Sequence, residues 1–528
     1  MTEPAQPARP AQPARPAEPA QPARSATPAP PESATATDTA LTSLLALDPS
    51  APTPAAVEAL AAPENRHLLE YVREDPFGAH VFPGNIEGYD PERFLDDLDA
   101  QLAATGPIHL WAYIPTCSYR CRFCQYPVVI AKGPQEAVAR RAAQWVDWNI
   151  AEARLWLRRV PHLAGAPVGE FNVFGGTPSL LPPEEIRRLL DFYREHFGFG
   201  PDTTVRFEGD PTTFTPDKLE LLAELGCTKV SSGVQSFDDH VLAMSGREHT
   251  GAACREFVRR AKATGFDWVS VDLMYGLLDQ SLDTVREDLE TVLAEGPTAV
   301  VCTKLHLRDY SDTRTGVSGV QPAAWQLPSY RARLESRGHR WPTLGEQYQM
   351  REVLTGGLRA AGWTEHPTMY FAQPGAGPEK WKAIMADQDL QLPEVAIGLG
   401  GSSSCRRSEG MTEVDWRRYG EAVDAGRIPL GSATAFTDEA QETRAVNMAL
   451  TTLQPLREEV HRARFPGSSL FSPARRAAFA SLEARGLLTA DEAAGTVTLT
   501  PTGETLVEAI INTELSAPAA RERSGITP

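Results

Sequence analysis

Between residues 107 and 307, short runs of β-branched and aromatic residues alternate with segments whose apolar positions recur at helical spacing. Six runs read as strands: IHLWAYIP at 108–115, GEFNVFG at 169–175, TVRFEGD at 204–210, KVSSGVQ at 229–235, WVSVDLMYG at 268–276 and AVVCTKLHL at 299–307. Between the second and third, Ile186, Leu189, Leu190, Tyr193 and Phe197 fall on one face of a helix over 183–197. Another helix is predicted to start at Thr215-Pro216, a fitting N-cap and first helical residue, and to stop at Gly226. Alternation with such short connections predicts parallel strands joined by right-handed crossovers, in an open doubly wound sheet or a barrel. In both, chemistry gathers where strands end. Polar residues and glycines fall there: a cysteine loop after the first strand, Gly175-Gly176-Thr177 after the second, Glu208 and Asp210 at the third, Gln235 at the fourth and Asp272 at the fifth.

Beyond residue 330 the pattern loosens. It offers a helix near 345–361, a strand-like TMYFAQ at 368–373, a glycine-rich AIGLGGSSS at 396–404, and a mostly helical last segment that carries VTLTPTG. The organisation this predicts is a tail over 1–45, a core over 46–330, an α+β extension over 331–435 that completes the active site, and a helical, winged-helix-like module over 436–528. The tail reads as disordered, because its Pro/Ala repeats hold almost no large apolar side chain to offset the entropy of folding. Its scattered arginines also suit a transit peptide, but the frequent prolines block the amphipathic helix that such a peptide needs.

Charge narrows the partners. A formal charge of -18 disfavours duplex DNA and anionic membranes, and no apolar run approaches bilayer-spanning length, so a small-molecule substrate is expected, with neither nucleic acid nor membrane as partner. Seven cysteines in 528 residues, without a secretory signal, do not make a disulfide framework and fit a reducing cytoplasm.

Three of those cysteines stand together in WAYIPTCSYRCRFCQYP: Cys117, Cys121 and Cys124, spaced C-x3-C-x2-C. Structural zinc takes four ligands, and the loop offers no nearby fourth Cys or His, which makes zinc the weaker reading. A [4Fe–4S] cluster uses one ligand per iron, so three cysteines leave one iron open. Three unrelated core thiols are a poor alternative, since Arg120 and Arg122 would be costly in a core and favour thiolates. Cys227, Cys254 and Cys302 sit in helix or strand patterns and read as structural. Cys405, before two arginines, is a weaker candidate for chemistry, and His306 is as readily a core residue as a ligand.

The cysteine loop resembles the signature of the radical S-adenosylmethionine (radical SAM) enzymes. GGTPS at 175–179, EGDP at 208–211, SGVQSF at 232–237, GREHT at 246–250 and VDLMYGL at 271–277 follow in the order and spacing of the oxygen-independent coproporphyrinogen III oxidase-like branch, over about 100–410. The resemblance implies an α/β fold, a partial (β/α)6 radical SAM barrel with an additional mainly helical C-terminal domain behind a disordered N-terminal tail. It implies a [4Fe–4S] cluster on Cys117, Cys121 and Cys124, whose open iron chelates SAM and cleaves it to a 5′-deoxyadenosyl radical. It also implies an electron donor such as flavodoxin or ferredoxin. Two SAM molecules bind in that branch. Phe123, Gly175, Gly176, Thr177 and Glu208 match positions around the cluster and the first SAM, and Gln235, Arg247 and Asp272 match contacts to the second.

Departures bear on the substrate. The oxidases carry a tyrosine six residues before the first cysteine and a further cysteine two after the third, where this chain has Trp111 and Tyr126. The related haem chaperones carry an H-N-x-x-Y-W motif, and PGAGPEKW at 374–381 lacks its histidine. The resemblance then points to the class C methylases and cyclopropanases, which modify unsaturated carbons. Porphyrinogen decarboxylation is the alternative and a haem chaperone the second. A regulator whose wing touches nucleic acid is opposed by the negative charge.

Overall fold

The computed structural model describes residues 41–74, 85–104, 106–307, 323–365, 368–376 and 392–516. Most of the Pro/Ala tail and the stretch 377–381 lie outside them. The six predicted strands are present as β1 (Ile108–Ile114), β2 (Val168–Gly175), β3 (Thr204–Gly209), β4 (Lys229–Gln235), β5 (Trp268–Tyr275) and β6 (Ala299–Lys304). They lie side by side in chain order and are all parallel. Helices α1 (Gln135–Arg159), α2 (Pro183–His196), α3 (Pro216–Glu224), α4 (Gly251–Thr264) and α5 (Leu282–Glu295) fill the crossovers.

The period of two along each strand separates two environments. Phe171, Val173, Val205, Phe207, Val230, Val271 and Leu273 are buried in the main core with the helices. Ile186, Leu189, Leu190 and Tyr193 of α2 join them, with the Phe171 and Tyr193 rings 4.5 Å apart. Burying one such side chain contributes roughly 1.5–3 kcal/mol. The alternate residues Glu170, Asn172, Arg206, Glu208, Ser231 and Asp272 therefore face the bore. Its floor is an ion cluster in which Glu170 meets Lys229 at 3.2 Å and Arg206 at 3.6 Å. α3 starts and stops where the sequence predicted, although the Thr215 side chain makes no capping bond: Pro216 at the first turn and Gly226, at φ 68°, set its limits.

Further strands extend the sheet at both edges. Glu394–Ile397 pairs in parallel with β1 on the side away from β2, with Glu394 opposite His109. Ser402–Ser404, Ser408–Thr412, Leu430–Phe436 and Asn85–Glu87 follow, each antiparallel to the last. At the other edge Tyr370–Ala372 runs antiparallel to β6. The sheet has thirteen strands among the described residues and ends in two edges, so the barrel is open.

The glycine-rich segment presses on the end of β1. A Cβ on Gly398, which sits at φ +130°, would stand 2.5 Å from the Tyr113 carbonyl oxygen. Buried Glu152 of α1 accepts hydrogen bonds from Tyr419 (2.6 Å), Trp156 (3.0 Å) and the Gly398 amide, while burial raises its carboxyl to about 7.

Nearer the C-terminus, Leu488–Asp491 and Thr496–Leu499 form a hairpin that pairs with Leu456–Arg457, among short helices. No helix of the described residues is long and apolar enough to cross a membrane.

Candidate active site

The chain leaves β1 at Ile114 and turns at once into the cysteine loop. Thr116–Cys117 pairs with Val129–Ile130, which closes the loop at its base. Backbone bonds fix its middle: the Cys124 amide donates to the Cys121 carbonyl (3.2 Å) and the Arg122 amide to the Ser245 carbonyl (2.9 Å). Burial, aided by neighbouring Cys124 and Cys121 and opposed by a hydrogen bond from Thr177 (3.5 Å), pushes the Cys117 thiol up to about 12. Burial and Cys121 likewise push Cys124 up to about 11. Three cysteine sulfurs on one loop, none of them fully buried, are a donor set that one iron per sulfur, with inorganic sulfide between irons, fits.

Arg120 favours the Cys124 thiolate as the sequence predicts, its charge working to lower that thiol, but both arginines also bond backbone. Their guanidinium groups donate to the carbonyls of Cys124 (3.2 Å) and Met244 (2.7 Å), so they mainly brace the loop. Positive charge alone does not say which acceptor a long side chain will find. The cation at a ligand sulfur is Arg247, whose Nη1 donates to Cys121 Sγ at 3.0 Å.

The Gly175–Thr177 turn packs on the same loop. A Cβ on Gly176 would stand 2.6 Å from the Thr116 carbonyl oxygen, and one on Gly175, at φ +128°, 3.0 Å from that of Ile114. The amides of Gly176 and Thr177 donate to those carbonyls, at 2.8 and 2.7 Å. The glycines thus let two strand ends meet closely beside the thiols.

Asp210, just past β3, is the hub. Its Oδ2 accepts from Tyr119 (2.5 Å) and Arg247 (3.3 Å) and lies 3.1 Å from His249 Nδ1, while Oδ1 accepts from the Thr212 amide (2.9 Å). Burial works to raise this carboxyl, but the His249 hydrogen bond and the Arg247 charge outweigh it and hold it well below the usual carboxylate range. Tyr119 and His249 were not among the residues selected from sequence. The signal available was their place inside the matched motifs; what could not be seen was that three loops distant in sequence share one carboxylate.

Gln235 closes β4 in the left-handed region at φ 70°, a conformation costing roughly 1–3 kcal/mol for a non-glycine residue. Buried Asp288 of α5 secures the turn, accepting from the Ser236 hydroxyl (2.8 Å) and the Phe237 amide (2.6 Å). Glu208 and Asp272 face the bore from β3 and β5. Burial, then the Asp272 charge, raise the Glu208 carboxyl to about 7. Phe123 instead packs in a wall cluster against Trp325, ring centroids 6.1 Å apart. Cys227, Cys254 and Cys302 are buried, as is Cys405, whose sulfur meets Ser408 Oγ at 3.4 Å.

At the two departures, Trp111 donates its indole N–H to Glu394 (3.2 Å) and sets its ring edge-on to Phe174 at 4.8 Å. Tyr126 is 53% accessible, yet burial and then the Glu208 charge push its hydroxyl up to about 12. Gln125 anchors this step, donating to the His306 carbonyl (2.6 Å) and accepting from Gln326 (2.9 Å). Tyr370, raised to about 12 by burial and Asp272, lies within electrostatic reach of the same groups.

This parallel barrel with a three-cysteine loop at its mouth defines the chain's class, and residues 111–292 match the Radical SAM superfamily model. The chain is a radical SAM enzyme, using a [4Fe–4S] cluster and SAM. Its similarity extends to oxygen-independent coproporphyrinogen III oxidases. It is 24% identical over 441 residues to the oxygen-independent coproporphyrinogen III oxidase of Cereibacter sphaeroides, covering 82% of this chain and 90% of the relative. It is 27% identical over 274 residues to the heme chaperone HemW of Escherichia coli, covering 51% of this chain and 64% of that one. The fold matches the structure of the Escherichia coli coproporphyrinogen III oxidase, with a TM-score of 0.67 at 22% identity, over 84% of this chain and 97% of the other.

Proposed function

We propose that this enzyme delivers the methyl carbon of a second SAM to an unsaturated carbon of a small molecule, by methylation or cyclopropanation. When bound, the cluster and the first SAM supply the 5′-deoxyadenosyl radical; the residues position the reactants and exclude water. Cys117, Cys121 and Cys124 hold three irons. Gly175, Gly176 and Thr177 keep the rim low where the methionyl end enters, and Phe123 walls the cluster loop. Glu208 receives the first SAM; Gln235, Arg247 and Asp272 receive the second. A carboxylate accepts ribose hydroxyls and a guanidinium pairs with a carboxylate. Flavodoxin or ferredoxin supplies the electron. The extension over 331–435 lends Tyr370 to the bore.

The observation that carries this reading is Tyr126. Where the oxidases place a thiol, this chain has a phenol within electrostatic reach of Glu208 and Asp272, and Tyr370 adds a second: aromatic rings suited to a flat, unsaturated acceptor. Oxidative decarboxylation is the second reading, favoured by the alignment over 90% of the Cereibacter sphaeroides oxidase. Methyl-deuterated SAM separates them. Methyl abstraction puts deuterium into 5′-deoxyadenosine, whereas unlabelled nucleoside from productive turnover refutes methyl transfer and points to direct attack on substrate.

Glu208 gives a pH test. With its carboxyl raised to about 7, it loses charge as pH falls through neutrality. Cationic SAM should therefore bind more weakly from pH 8 to 6, by up to about tenfold per unit. Equilibrium dialysis should show a flatter profile for Glu208→Gln; an equally steep one would remove Glu208 from the SAM site.

A further inference from the structure

Lys304 ends β6 opposite Tyr275 and shares its side of the sheet, away from the bore. There it lines a cavity of about 520 Å³ between the strand end, helix α6 (Pro328–Glu335) and the start of helix α7 (Leu344–Ala360). Among the described residues its ammonium makes no hydrogen bond or ion pair; burial lowers its pKa to about 8, and only the charge of Glu508 opposes that. Arg331 lines the same cavity, and the buried indole N–H of Trp341 has no acceptor among the described residues. Leu305 and Leu344 supply apolar wall, and Glu335 is the acidic residue in the lining.

The Trp341 N–H is a buried donor without an acceptor among the described residues, costly unless a ligand brings one, and Lys304 stands on the same wall with a charge to offer. A cation would be repelled, and a polyphosphate would ask for more positive charge than two basic residues beside one acid supply. We propose that this cavity binds the anionic end of an amphipathic small molecule, a carboxylate or sulfonate on an apolar body, with Lys304 as its counter-charge. The bound anion would raise the lysine's pKa and hold its charge to higher pH. The site also shares a wall with the cluster loop: Trp341 meets Trp325 edge-on at 5.0 Å, and the Trp325 amide donates to the Arg122 carbonyl at 2.9 Å.

The test uses anaerobically reconstituted full-length holoenzyme, titrated calorimetrically with anilinonaphthalene sulfonate and with its uncharged relative phenylnaphthylamine. Lys304→Met should weaken the sulfonate by about tenfold or more, a loss typical of a desolvated charge pair, and leave the neutral dye unchanged. Lys304→Arg should restore sulfonate binding. Because the half-buried lysine makes no hydrogen bond or ion pair among the described residues, Lys304→Met should melt no lower than wild type. Equal sulfonate affinity in wild type and Lys304→Met would overturn the proposal. So would equal loss of both dyes, or a lower melting temperature in Lys304→Met, since either would make the lysine structural.

Discussion

Cys121→Ala protein, reconstituted anaerobically with iron and sulfide, is expected to lack the broad cluster absorbance and to cleave no SAM. Three ligands already leave one iron open, and removing another leaves two irons without a protein sulfur. The loop cannot recruit a replacement from its surroundings: Cys227, Cys254, Cys302 and Cys405 are buried in the core. Backbone bonds at Arg122 and Cys124 hold the loop whether or not Cys121 is present, so the variant should remain folded. Circular dichroism of wild type and variant should superimpose while absorbance and 5′-deoxyadenosine formation vanish. SAM cleavage by Cys121→Ala would show that the ligand triplet is wrongly assigned.

The largest effect on stability is expected at Asp210. Its side chain is 6% exposed, and it faces Arg247, at 10% exposed, and His249, fully buried. Removing one member of such a group leaves the other charge uncompensated in a poorly solvated place, a loss of about 3–5 kcal/mol. Asp210→Ala should therefore shift the urea midpoint of the metal-free protein sharply downward, and Asp210→Asn should fall between. The sign with pH is fixed by the depressed carboxyl: its contribution is full above the ordinary aspartate range and is lost only as pH falls through its lowered value. Between pH 6 and 8 the difference between wild type and Asp210→Ala should stay constant. A loss below about 1 kcal/mol, the scale of an exposed pair, would mean that the hub is solvated.

The positions of the six barrel strands were legible because each is a short apolar run with its polar or glycine punctuation at the C-terminal end. α2 was legible because its apolar stripe is long. The cysteine triplet needed only spacing and the chemistry of sulfur. What stayed hidden was non-local. Nothing near Glu394–Ile397 shows that it will pair in parallel with β1, and nothing near Asp210 shows that Tyr119, Arg247 and His249 will meet there. Arg122 was read as a charge for thiols and proves to be a brace for backbone, because a flexible cation takes whichever acceptor the fold brings. Tyr126 stood out in sequence as a departure from the oxidases, but that its hydroxyl would come within electrostatic reach of Glu208 and Asp272 was not visible there.

The most direct measurement is the iron, acid-labile sulfide and zinc content of anaerobically purified full-length protein, with electron paramagnetic resonance of the reduced form before and after SAM. A cluster on Cys117, Cys121 and Cys124 requires about four iron and four sulfide per chain and a signal that SAM perturbs. Stoichiometric zinc without sulfide, or a reduced cluster indifferent to SAM, would contradict it.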